Sequence, residues 1–292
     1  MIRLTISGGD EAVWQQVAAR LRGVVIETAG DKLASDRLPQ CDAVVLAGPM
    51  RACAGDVNHW LRSGKHVLLS VNSCLPNELA ELASYQPHRG AGKLAIVNSE
   101  RYLPSRQAIR QQLDAGDLGE PGLVRIHRWE SASTAASAES ALPAPVLRDL
   151  DLTCWLIGRR PNTVYAVNSN ARQGFVQVHL GFSEGAMALI DYASVLPRGD
   201  DYRSLSVIGS TGAAYADDHQ NVQLVYRGGH PQARRTDEGV GALAMMVQEF
   251  VDAIGSQRDL SPSVAAWQDV MRMAHAAERS IQSRRAISLE DC

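Results

Sequence analysis

Six residues near the N-terminus, Ser7-Gly8-Gly9-Asp10-Glu11-Ala12, stand where an apolar run from Ile2 to Ile6 gives way to an amphipathic stretch. In that stretch Ala12, Val13, Val17, Ala18 and Leu21 recur at helical spacing. Strand, glycines, then helix is the order that presents backbone amides to a diphosphate, and the spacing echoes the dinucleotide fingerprint G-x-G-x-x-G. Gly9 holds the second glycine position, where backbone must approach a pyrophosphate, while Ser7 holds the first and Ala12 the third. Asp10 and Glu11 put two carboxylates where phosphates would arrive; they satisfy the helix dipole internally and are expected to cap the first turn. Glu27, near the end of the run GVVIET, is a candidate for holding a ribose diol, which would favour NAD over NADP. The candidate cofactor contacts are Gly8, Gly9, Glu27 and Pro49.

Other reactive side chains are scattered. Cys41, Cys53, Cys74, Cys154 and Cys292 are widely spaced with no C-x-x-C pair, which fits reduced thiols rather than a disulfide framework or a zinc site. Cys53 and Cys74 are conceivable nucleophiles, but without a histidine partner they read as buried, inert thiols. Asp149 and Asp151 read as acids at a helix N-terminus rather than as a metal pair, since no histidine lies close by; no metal is expected. His127 and His179 alternate along strand-like segments, as interface or core residues do.

The elements that must position these groups fall into two patterns. The chain has 292 residues, 45% of them hydrophobic, enough for two domains. Ile2–Ile6, GVVIETAG, CDAVVLAGP, KHVLLSVN and KLAIVNS read as strands alternating with helices, which predicts a parallel sheet covered on both faces. Past Gly122, GLVRIHRW, NTVYAVNS, GFVQVHLGF, AMALIDYA, SLSVIGS and NVQLVYR are strand-like and several alternate in polarity, which predicts an open, mainly antiparallel sheet. Helices are expected over residues 104–114, 242–254 and 264–281, and the Ala/Ser-rich segment 131–145 is expected to be a mobile loop or marginal helix. The fold class is therefore α/β: a Rossmann-like domain over residues 1–120 and an α+β domain over 121–292, whose last helix is a candidate for packing back on the first. A net charge of −3 gives no footprint for nucleic acid. No apolar run approaches the roughly 20 residues needed to span a bilayer. The opening MIRLTISGGD lacks a basic region followed by a long apolar stretch, so a cytoplasmic location is expected.

Taken in order, several phrases resemble the Gfo/Idh/MocA family of NAD(P)-dependent oxidoreductases. CDAVVLAGP is similar to that family's third strand, SGKHVLL to the strand that ends in Glu-Lys-Pro, and VNSERYLP to its Asn-x-x-Arg-[Tyr/Phe]-x-Pro phrase at Asn98, Arg101, Tyr102 and Pro104. DAGDLGEPGLVRI resembles the crossover into the second domain, RDLDLTCWLIGRRPNTVYAV the helix and strand near the active site, and SVIGSTGAAYADD and AHAAERSIQSRRAISL the later sheet and last helix. The resemblance implies hydride transfer between a nicotinamide and a hydroxyl-bearing carbon of a sugar or cyclitol, with a general base, and an open sheet that forms an oligomer interface.

At the positions this chemistry uses, the chain departs from the pattern. Glu-Lys-Pro is Ser70-Val71-Asn72, the histidine is Arg148, the acid four residues earlier is Ala144, and Pro-Asn-x-x-His is Pro49-Met50-Arg51-Ala52-Cys53. Valine moves no proton and arginine stays charged, so neither serves as base. Residues expected to line a substrate pocket are Asn98, Arg101, Tyr102, Trp129, Glu130, Arg148 and Asp151, with Arg148, Arg101 and Tyr102 the candidates for catalysis and the two arginines able to grip a carboxylate or phosphate. The expectation drawn from the losses is a homologue lacking conventional NAD(P)-dependent hydride transfer, binding a sugar-like or carboxylated ligand or serving as partner to itself or a paralogous subunit. The alternatives are an active NAD-dependent dehydrogenase of a sugar or cyclitol with relocated catalytic groups, and a non-redox lyase or isomerase.

Overall fold

The computed structural model describes residues 1–28, 40–48, 53–88, 90–131, 142–169, 174–217, 222–225, 232–235 and 238–290. In chain order the elements begin β1 (Ile2–Ser7), α1 (Glu11–Ala18), β2 (Val24–Thr28), β3 (Ala43–Leu46), α2 (Ala54–Arg62), β4 (His66–Ser70), α3 (Pro76–Ala83) and β5 (Leu94–Val97). They continue with α4 (Pro104–Asp114), β6 (Pro121–Ser131), α5 (Ala144–Ile157), β7 (Pro161–Asn168), β8 (Phe175–Phe182), β9 (Met187–Leu196), β10 (Tyr202–Gly209) and β11 (Ala213–Asp217). A short antiparallel pair, β12 (Val222–Val225) and β13 (Gln232–Arg235), precedes α6 (Glu238–Gly255), α7 (Ser261–Ser283) and β14 (Ile287–Ser288). Two compact units result: residues 1–103 with 238–269, and residues 104–237 with 270–292.

The first unit holds a five-stranded sheet in the order β2-β1-β3-β4-β5 whose neighbours are all parallel. Its central strands are near-continuous apolar runs because both faces are covered; all four residues of β3 are buried. One face is sealed by α1 and α6, where Trp14, Val17, Val247 and Phe250 pack against Leu4, Ile6, Val45 and Leu68. Pro76 opens α3 at a position whose amide would be orphaned in any case.

The second unit holds a seven-stranded sheet in the order β11-β10-β6-β9-β8-β7-β14. Every neighbouring pair is antiparallel except β6 and β9, which run parallel with His127 beside Asp191. That pair is joined through α5, β7 and β8, because parallel neighbours need a long crossover. Period-two alternation sets the faces: Val176, Val178 and Leu180 of β8 are buried while Phe175 and His179 are exposed. The buried side of β6 and β9 carries α5.

The structure corrects two readings. Among the described residues of NVQLVYR, Val222–Val225 pair with β13 and do not join the large sheet. Pro143 and Pro145 begin α5 at Ala144, at the end of the segment expected to be a mobile loop or marginal helix, so Asp149 and Asp151 lie past the first turn and are not N-terminal acids. Residues 132–141 of that segment lie outside the described residues.

Candidate functional site

In the first unit, β1 ends at the buried Ser7 and the chain turns through the buried Gly8 (φ +88°) and the exposed Gly9 (φ +87°). Left-handed backbone here costs any other residue strain. The turn is closed by its own helix: the Trp14 indole Nε1 donates to the Gly8 carbonyl at 2.7 Å. A Cβ on Gly9 would sit 2.9 Å from that nitrogen, and a Cβ on Gly48 (φ +125°) 2.7 Å from the Gly9 amide. Gly9 is thus demanded by packing as well as by any diphosphate. Asp10 caps α1, its Oδ1 accepting from the Ala12 amide at 2.8 Å, and Glu11 occupies the first turn, as their types lead one to expect. Glu27 is exposed at the carboxyl end of β2, beside Thr5 of β1. Pro49 lies outside the described residues.

The strand that would deliver a catalytic lysine delivers none. Val71 is buried directly after β4, and the Ser73 hydroxyl donates to the Leu46 carbonyl at 3.1 Å. The nearby lysines are committed to backbone: Lys65 Nζ donates to the Cys41 carbonyl at 2.5 Å and Lys93 Nζ to the Arg258 carbonyl at 2.8 Å. Burial, with the Glu78 carboxylate and Cys53 adding to it, pushes the Cys74 thiol up to about 12, so Cys74 is protonated and inert at neutral pH. Cys53 is exposed just before α2.

Asn98, Arg101 and Tyr102 line one cavity of about 240 Å³ with Glu249, Arg258 and Trp267. Asn98 is buried, its Oδ1 accepting from the Glu100 amide at 3.1 Å. The Tyr102 hydroxyl donates to Glu249 Oε2 at 2.9 Å, and burial with that carboxylate raises its pKa well above the usual phenol range. Tyr102 is held as a donor and is unsuited to taking up a proton.

In the second unit the inward face of the large sheet changes character along β6. Val124 and Ile126 point inward as apolar core; two residues on, Arg128 does the same and is only 2% exposed. Its charge is met by Asp149 of α5, fully buried, through Nε–Oδ2 at 2.8 Å and Nη2–Oδ1 at 2.6 Å. Strand register sets Arg203 of β10 and Tyr192 of β9 on either side of Arg128. Two residues further, Glu130 Oε1 lies 3.3 Å from Arg203, 3.7 Å from Arg128 and 3.8 Å from Arg148. The Tyr192 hydroxyl donates to Glu130 Oε2 at 3.5 Å. Burial, then the Glu130 carboxylate, raises the Tyr192 pKa, so this hydroxyl stays a donor.

The expected residues therefore separate. Glu130 and Arg148 come together; Asp151 is buried on α5; Trp129 alternates to the opposite, open face, with His127 and Tyr202 rings 5.9 and 5.0 Å away. Asn98, Arg101 and Tyr102 belong to the first unit. Sequence reasoning missed Arg128, Tyr192 and Arg203 and gave Asp149 a different role; the available signal was an arginine in the inward register that Val124 and Ile126 set. On the open face, His127 Nδ1 lies 2.9 Å from Asp191 Oδ2, and His179 contacts Gln177 at 3.1 Å. Among the described residues no group of three or more His, Cys, Asp or Glu could hold a metal, and no helix is long and apolar enough to cross a membrane.

Comparison with known proteins adds to this geometry. Residues 106–215 match the family described as the GFO/IDH/MocA C-terminal domain. The chain is 24% identical over 267 residues to the inositol 2-dehydrogenase of Rhizobium meliloti (strain 1021), covering 85% of this chain and 81% of that one. The myo-inositol dehydrogenase of Corynebacterium glutamicum has a similar structure, with TM-score 0.76 and 15% identity over 99% of both chains. So has the scyllo-inositol dehydrogenase of Lactobacillus casei, determined with NAD(H) and scyllo-inositol bound, with TM-score 0.73 and 15% identity over 99% of both chains.

Proposed function

From the premise that this chain is a distant member of the Gfo/Idh/MocA oxidoreductase family, related to inositol dehydrogenases, we propose that it is an NAD-dependent dehydrogenase of a cyclitol or sugar-like polyol whose proton acceptor is Glu130. The observation that carries the reading is the half-buried Glu130 carboxylate, with the Tyr192 hydroxyl at 3.5 Å and Arg148 at 3.8 Å. The family's histidine corresponds to Arg148, so an ionisable carboxylate stands next to the position where the usual base is missing.

The first unit fits a nicotinamide dinucleotide at its turn. Gly9 is exposed with backbone free of Cβ, Gly8 before it is buried, and Glu27 is exposed at the carboxyl end of β2, suited to a ribose diol. Asp10 takes the Ala12 amide, which shifts the load of anion binding onto the glycine turn. When bound, the nicotinamide supplies the hydride acceptor. Glu130 then takes the hydroxyl proton, while the Tyr192 phenol and the guanidiniums around Glu130 fix that carboxylate in place.

Glu130→Gln keeps the shape of the side chain and removes its basicity. NADH formation from NAD and myo-inositol is expected to fall by about 100-fold or more in this variant, measured on protein that still melts cooperatively. Wild-type turnover in the variant would remove Glu130 from the reaction.

A second reading is favoured by Val71 and Arg148 themselves: a ligand-binding or partner subunit without hydride transfer. The relatives, as dehydrogenases matched along most of their length, favour the first. Either reading accommodates assembly through the open sheet face, where Trp129, Phe175, Met187, Ile208 and Tyr215 are exposed.

A further inference from the structure

We propose that Trp14 is a positioning residue for the dinucleotide. Its indole N–H holds the Gly8 carbonyl inward and so turns the Gly9 amide out toward a diphosphate. This deepens the dehydrogenase reading and rests on it for the ligand, but its argument lies in the peptide plane between two glycines.

Trp14 is buried in the core between α1 and the parallel sheet, where its ring is fixed by Leu4, Ile6, Val17 and Val45. A buried indole N–H must find an acceptor, and any carbonyl would satisfy it. The one it takes, at 2.7 Å, belongs to the peptide that joins Gly8 to Gly9. In a trans peptide the carbonyl and the following N–H share a plane and point in opposite directions, so fixing the Gly8 carbonyl also fixes the Gly9 amide. A lock matters here because both flanking residues are glycines at positive φ, the pair that leaves a peptide plane freest to turn over. Gly48 keeps space open beside the same amide, since a Cβ there would lie 2.7 Å from the Gly9 nitrogen. Among the described residues the Gly9 amide donates to no acceptor, whereas the Ala12 amide is already taken by Asp10.

Removing the indole N–H leaves the buried Gly8 carbonyl without its donor, and a buried backbone oxygen does not stay unpaired. The plane between the glycines then rotates to bring that carbonyl to water, which carries the Gly9 amide away from the ligand side. The loss falls on the diphosphate, because that is the group an outward backbone amide serves.

Calorimetric titration of the full chain with ADP-ribose, which carries the diphosphate, and with adenosine, which does not, tests this. Two variants are compared with the wild type. Trp14→Phe removes the donor together with part of the ring, and Trp14→benzothienylalanine keeps the two-ring shape and exchanges only the N–H for sulfur. Both are expected to weaken ADP-ribose about tenfold or more, the scale of one hydrogen bond to a charged group, while adenosine stays within about twofold. Melting curves identify misfolding in Trp14→Phe, and the isosteric variant then carries the test alone. Unchanged ADP-ribose affinity in the isosteric variant, or equal losses for both compounds, overturns the inference and leaves dinucleotide binding standing. Failure of the wild type itself to bind ADP-ribose overturns the inference and the dehydrogenase reading together.

Discussion

Replacing Asp149 by alanine is expected to lower the unfolding free energy by about 3–5 kcal/mol, the cost of leaving one partner of a buried pair uncompensated. The magnitude follows from burial. Asp149 is fully buried and Arg128 is 2% exposed, so water cannot replace the lost carboxylate. The guanidinium would lose both of its short bonds to Asp149 at once. Removing both charges is a different experiment, because an apolar pair of similar volume no longer carries the desolvation penalty. Arg128→Met with Asp149→Leu is therefore expected to be more stable than Asp149→Ala alone. Denaturant unfolding of the three proteins checks this. A loss below about 1 kcal/mol in Asp149→Ala would mean that the pair is solvated.

Gly48→Ala should produce the second large effect, on both stability and dinucleotide binding. The position combines φ +125° with a Cβ that would meet the Gly9 amide at 2.7 Å and the Gly8 carbonyl carbon at 3.0 Å. Backbone strain of this kind costs about 1–3 kcal/mol, and the obstruction comes from backbone rather than from a side chain that can swing away. Gly64→Ala provides the comparison: it also has positive φ (+80°), but its nearest neighbour would be 3.7 Å from the added carbon. Gly48→Ala is expected to be the more damaging of the two in thermal melting and to weaken NADH binding, while Gly64→Ala leaves NADH binding intact. Equal effects at the two positions would show that the glycine turn tolerates displacement.

Much of this molecule could be read from the sequence because its information is local. Apolar runs marked β1, β3, β4 and β5, Pro76 and Pro104 marked two helix starts, and Asp10 announced the cap it makes. What stayed hidden depends on partners distant in the chain. β14 is two residues long and exists because Ile287 pairs with Val164. Asp149 looked like a helix cap because its partner, Arg128, lies 21 residues away on a strand. Glu130 was visible as an acid near the right place. That Arg203 and Tyr192 flank it emerged only from the register of three strands.

The parallel-sheet unit accounts for the chemistry only if its glycine turn still accepts a nicotinamide dinucleotide, despite the carboxylates of Asp10 and Glu11. Titration of the purified chain with NADH, followed by calorimetry, tests that most directly. Saturable binding at one site per chain, with a dissociation constant below about 1 mM, is the expected result. An absence of heat through the millimolar range, in protein that melts cooperatively, would contradict it and leave the subunit reading in its place.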